Sequence, residues 1–134
     1  MFELTFNIRI DEIADAVDKV IDLARTLPCG RGTLDNLHLA MMEALTNAVV
    51  HGNRGDARKA VKICMDCDTP SQLSICVTDQ GDGFDPSALR DPVADENLCA
   101  SHGRGLFLMK HLVDDVEFRL GGRQVILRRR QPLP

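Results

Sequence analysis

The sequence predicts an α+β fold, a two-layer α/β sandwich whose mixed, mostly antiparallel sheet is covered on one face by helices. Three observations carry this. Short apolar runs with strand character recur at both ends of the chain and in its middle. Two longer segments between the first and second of these runs have helical spacing instead. The later runs are joined in pairs by tight turns, which makes their strands antiparallel neighbours.

The elements follow in order. Phe2, Leu4, Phe6, Ile8 and Ile10 alternate as in a half-buried strand, and Asp11 stands where a helix N-cap belongs. Ile13, Val17, Val20, Ile21, Ala24 and Leu27 form one helical stripe, stopped by Pro28-Cys29-Gly30-Arg31-Gly32. A second helix is predicted over about residues 33–51, with Leu37, Met41, Leu45 and Ala48 on one stripe and Gly52-Asn53-Arg54-Gly55 as its stop. Val61, Ile63 and Met65, then Leu73, Ile75 and Val77, mark two strands around the turn Asp68-Thr69-Pro70-Ser71. Residues 81–103 have weak periodicity and read as a long loop, of a length that is usually either functional or disordered. A short helix over about 105–112 and a hairpin around Gly121-Gly122 complete the order β-α-α-β-β-loop-α-β-β.

At 134 residues, with 44% hydrophobic and 27% charged side chains, the chain suits a single domain over 1–134. Its net charge of −4 disfavours general nucleic-acid binding, which needs clustered Lys and Arg. No apolar run is long enough to span a membrane, and the N-terminus does not read as a signal peptide. Five cysteines, an odd number without framework spacing, are expected to be reduced thiols of a cytoplasmic protein. Cys64-x-x-Cys67 lies in a strand, where its two side chains face opposite sides.

Three segments carry chemistry. Glu43 and Asn47 are four residues apart, hence on one helix face, with His51 a turn further on, all in apolar surroundings. A carboxylate there can take a proton, and an amide oxygen can bind a hard cation. A solvated polar stripe is the plainer alternative. Asp79-Gln80-Gly81-Asp82-Gly83 follows an apolar strand. Its glycines either serve a tight turn or let backbone approach a flat ligand, and Asp79 can accept from an exocyclic amine. Gly103-Arg104-Gly105-Leu106 leads into a helix, whose free N–H groups suit phosphate. Arg128-Arg129-Arg130 reads as a solvated strand end.

In that order and spacing the segments resemble the GHKL ATPases, the superfamily of the Bergerat ATP-binding fold that includes histidine kinases, gyrase B and MutL-type ATPases. Within it, EALTNAVVHGN, VTDQGDGFDP and GRGLFLMKHLVDDV are similar to bacterial anti-sigma factor serine/threonine kinases of the RsbW and SpoIIAB type. The resemblance implies ATP and Mg²⁺, with Asn47 as the metal-binding asparagine and Glu43 as the general base. His51 supports the site, and Asp79 reads the adenine amine above Gly81 and Gly83. Gly103, Arg104, Gly105 and Leu106 form the phosphate-contacting end of a lid. It further implies a STAS-domain antagonist as substrate, a sigma factor as the sequestered partner, and a possible homodimer. The alternative within the family is an ATP-gated binding switch without kinase activity. Two departures stand out: His102 replaces a common glycine, and Gly122-Arg123-Gln124 replaces Gly-Thr-Thr.

Overall fold

The computed structural model describes residues 2–82 and 108–130. Strands β1 (Phe2–Phe6), β2 (Val61–Thr69), β3 (Gln72–Thr78), β4 (Asp115–Arg119) and β5 (Gln124–Arg130) form one sheet in the order β1-β2-β3-β5-β4. Each of its four pairings is antiparallel. Along β3 the pleat buries Leu73, Ile75 and Val77 and leaves Gln72, Ser74, Cys76 and Thr78 half-exposed. The same alternation buries Val61, Ile63 and Met65 of β2.

Helices α1 (Ile13–Arg25) and α2 (Asp35–Thr46) cover this apolar face. α1 contributes Ile13, Val17, Val20, Ile21 and Ala24, and α2 contributes Leu37, Ala40, Met41, Ala44 and Leu45. Fully burying one such Leu or Ile is worth roughly 1.5–3 kcal/mol. His38 Nε2 lies 3.2 Å from Asp18 Oδ1 and ties the outer edges of the two helices.

Several local expectations are corrected. β1 ends at Phe6; Ile10 is 56% exposed and opens a 3-10 turn, Ile10–Glu12. Asp11 therefore does not cap α1 but pairs with Arg9 at 2.7 Å, while Glu12 Oε1 accepts the Arg9 N–H. The regular α-helix stops at Thr46, and residues Asn47–Gly52 continue as a π-helical turn. Such wide turns occur often at functional sites. Residues 108–112 are helical, and the beginning of the helix expected from 105 lies outside the described residues.

The expectation of wholly reduced thiols is also overturned. Cys29 and Cys67 form a disulfide, with Cα atoms 5.7 Å apart across a sequence separation of 38. The 3-10 turn Pro28–Gly30 packs Cys29 into the core, and the pleat of β2 turns Cys67 to the same side. Cys64 takes the opposite side, as strand geometry requires, and remains a free thiol.

The three terminal arginines are engaged rather than merely solvated. Arg128 pairs with Asp115 (2.9 Å) and Glu117 (2.8 Å). Arg129 donates to the carbonyls of Cys29, Arg31 and Thr33, holding the α1–α2 connection against β5. Arg130 donates to Gln72.

Candidate functional site

A pocket opens where the π-turn passes the ends of β3 and β5. One wall is Ala44, Asn47, Ala48, His51 and Gly52, and the other includes Val77, Asp79, Gly122, Arg123 and Val125, with Met109 and Phe118 completing the apolar lining. Alanine at 44 and 48, four residues apart, leaves room beside the helix.

Asp79 is only 8% exposed. Its N–H donates to the Arg123 carbonyl (2.9 Å), and its Oδ1 accepts the Gly81 N–H (2.8 Å). Burial raises its pKa above the usual carboxylate value; the Gly81 hydrogen bond and the charges of Arg123 and Lys59 oppose that rise. The backbone around it is closely packed. A Cβ on Gly52 would strike the Asp79 carboxylate, and one on Gly81 would strike the Gly52 carbonyl.

Asn53 locks this contact in place. It is 2% exposed; its Oδ1 accepts the Gln80 N–H (2.8 Å), and its Nδ2 donates to the Ala60 carbonyl (3.1 Å). Gln80 returns the link by accepting the Ala60 N–H (2.6 Å). The residue after the π-turn thus fixes the residue after Asp79.

Asn47 presents a different situation. Its Nδ2 is buried without a hydrogen-bond partner among the described residues. An unsatisfied buried amide of this kind costs about 1–3 kcal/mol, a cost that a polar ligand in the pocket would relieve.

The pocket therefore brings Asn47, His51 and Asp79 together. Gly81 sits behind them as the close-packing residue. Glu43, half-exposed one turn before Asn47 on α2, is not part of the lining. Gly83, Gly103, Arg104, Gly105 and Leu106 lie outside the described residues. Sequence reasoning missed Ala44, Ala48, Arg54, Met109, Phe118 and Arg123 as pocket residues. The two alanines beside Asn47 were a usable signal; Phe118 and Arg123 enter only through strand order.

The profile of the histidine kinase-like ATPase domain matches residues 6–129, nearly the whole chain. The chain belongs to that family. Its fold, an antiparallel sheet with helices on one face, agrees with this membership. Similar curated proteins are named serine-protein kinase RsbW. That of Bacillus licheniformis is 32% identical over 93 residues, covering 65% of this chain and 58% of the relative. That of Bacillus pumilus is 33% identical over 94 residues (63% and 56%), and that of Bacillus subtilis 32% over 89 residues (62% and 55%). The chain spans just over half the length of these relatives.

For a histidine kinase-like ATPase domain, the pocket's chemistry fits a nucleotide. It offers a buried carboxylate, an unsatisfied amide and a glycine-only backbone contact. Among the described residues no three His, Cys, Asp or Glu side chains converge on a metal position. Mg²⁺ does not require such a cage, since phosphates and water supply most of its shell. No helix among the described residues is long and apolar enough to cross a membrane.

Proposed function

We propose that this domain binds Mg-ATP in the Asn47–His51–Asp79 pocket and acts as a serine/threonine protein kinase of the anti-sigma regulator type. Its substrate would be a serine of a STAS-domain antagonist, and its second partner a sigma factor. The observation that carries the reading is the convergence of Asn47, His51 and Asp79 on one pocket in a chain whose relatives are named serine-protein kinases.

In this reading Asp79 accepts a hydrogen bond from the adenine amine, and Gly81 and Gly83 leave space for the base. Asn47 contributes its amide oxygen to Mg²⁺, which neutralises charge on the transferring phosphoryl group. His51 supports Asn47 from the π-turn. Gly103, Arg104, Gly105 and Leu106 supply N–H groups and a guanidinium to the phosphates. Glu43 takes the proton of the serine hydroxyl as the serine oxygen bonds to the γ-phosphorus and the bond to the leaving ADP breaks. Homodimerisation and a cytoplasmic site of action follow from the same reading. In that compartment the Cys29–Cys67 disulfide would face cellular reductants.

One observation favours a second reading, an ATP-gated binding switch without phosphoryl transfer: Glu43 lies outside the pocket lining. Capture of partners from the source cell extract with and without Mg-ATP, followed by phosphosite mapping, separates the two. Phosphoserine on a small captured protein, lost with Glu43→Ala, supports the kinase. ATP-dependent capture of an unphosphorylated partner supports the switch and removes Glu43 as general base.

A further inference from the structure

The sheet face turned away from the helices carries a pair of thiols that the nucleotide pocket does not use. Cys64 of β2 and Cys76 of β3 stand directly opposite each other in the antiparallel register. Both are free and half-exposed. Directly opposed residues place their Cβ atoms about 4.5–5.5 Å apart. A disulfide needs about 3.5–4.5 Å, so a small approach of two side chains suffices, with no change of register.

The neighbours define the pair's chemistry. Glu3, opposite Cys64 on β1, accepts from the Cys64 thiol at 3.7 Å, and Lys62 pairs with Glu3 at 3.3 Å. Thr78 lies 4.0 Å from the Cys76 sulfur. Charges of Arg119 on β4 and Arg128 on β5 also reach Cys76. Burial raises both thiols above their ordinary pKa, and Glu3 raises Cys64 further, so both are held protonated near neutral pH. No third ligand converges with them among the described residues, which leaves two-sulfur chemistry rather than a metal cage. Cys67, though near in sequence, faces the core and is already bonded to Cys29.

We propose that Cys64 and Cys76 form a cross-strand dithiol that closes reversibly to a disulfide by exchange with a low-molecular-weight disulfide. The thiolate fraction of one cysteine attacks the small disulfide, its proton passing to the departing sulfur, so that a mixed disulfide forms and one small thiol is released. The second protein sulfur then attacks the mixed disulfide and releases the other. Two protein thiols are oxidised, one small disulfide is reduced to two thiols, and each protein proton passes to a leaving sulfur. The closed form staples the two central strands on the face away from the helices.

The test uses the full chain treated with oxidised glutathione, then acid-quenched, alkylated and cleaved on the N-terminal side of aspartate. Cleavage before Asp66, Asp68 and Asp79 separates Cys64, Cys67 and Cys76 into different peptides. The expected product joins the Cys64 and Cys76 peptides, with Cys29–Cys67 retained, and it reverts with reduced glutathione. Cys64→Ser and Cys76→Ser should each stop at a stable glutathione adduct on the remaining thiol. Linkage of either cysteine to Cys99, stable adducts on both in the unaltered chain, or no reaction at either would overturn the proposal.

Discussion

At Asp79 two demands oppose each other. Burial disfavours the charged carboxylate, while a ligand amine would favour it by donating to it. Asp79→Asn removes the charge but keeps an oxygen for the Gly81 N–H. The variant should therefore fold about as stably as the parent yet bind Mg-ATP roughly 10–100-fold more weakly, the worth of one charge-assisted hydrogen bond. Calorimetric titration beside a urea melt checks both halves. The pH dependence has a definite sign. Because the folded pKa lies above the usual carboxylate value, Asp79 loses its charge earlier on acidification than an exposed aspartate. The affinity advantage of the parent over Asp79→Asn should be complete well above that raised pKa and shrink as pH falls through it; a constant ratio over that range would remove Asp79 as the acceptor. Asn47→Ala has the reverse logic on stability. It deletes a buried amide nitrogen that has no partner among the described residues, so the free protein should lose little stability while Mg-ATP affinity falls. A thermal shift reports this directly: at about 100 times Kd a ligand adds about 2.7 kcal/mol, and at the same ligand concentration the variant should gain markedly less.

At the level of elements, the strands and α1 were legible because burial writes its period into the sequence. Leu73, Ile75 and Val77 alternate, and Val17, Val20, Ile21 and Ala24 recur at helical spacing. The end of α2 was not legible in this way. Asn47-Ala48-Val49-Val50-His51 carries no residue that separates a π-turn from an α-turn, and the turn ends at Gly52, which packs closely against Asp79 and Gly81. Asn53 is legible in the sequence as part of a helix stop and as the last residue of the HGN ending, but not as a clamp. Its two buried hydrogen bonds join residues 60 and 80, a contact that no local spacing displays. Asn53→Ala leaves the Gln80 N–H and the Ala60 carbonyl without their partner. It should cost about 2–6 kcal/mol, the sum for two buried groups, readable as a lower urea midpoint with an unchanged slope. A loss under about 0.5 kcal/mol would mean that the two backbone groups find other partners. Three of the pocket's polar residues, Asn47, His51 and Asp79, were thus visible in the sequence, while the clamp that fixes the π-turn against Asp79 was not.

Across the whole molecule, the feature that spacing concealed is the Cys29–Cys67 bond. Cys29 follows α1 and Cys67 lies near the end of β2, and only the folding of the α1–α2 connection onto the sheet brings them together. Arg129 holds that same connection by three carbonyls. Two constraints of different kinds therefore act on one segment, one covalent and one polar. The covalent one works chiefly through the unfolded chain: closing a loop with a separation of 38 residues is worth roughly 3–4 kcal/mol in the chain-entropy description. Cys67→Ser removes it while Arg129 continues to hold the segment in the folded state. The variant should remain folded with the same secondary structure but unfold at a lower temperature, with a loss of that order by urea titration. Reduction of the parent with a dithiol should lower it to the same level, and the same reductant should leave the variant's stability unchanged. Because the bond lies at the opposite end of β2 from the strand end nearest Asp79, Mg-ATP affinity below the melting range should be the same in parent and variant. A fall in affinity with reduction would instead show that the α1–α2 connection transmits to Asn47 through α2.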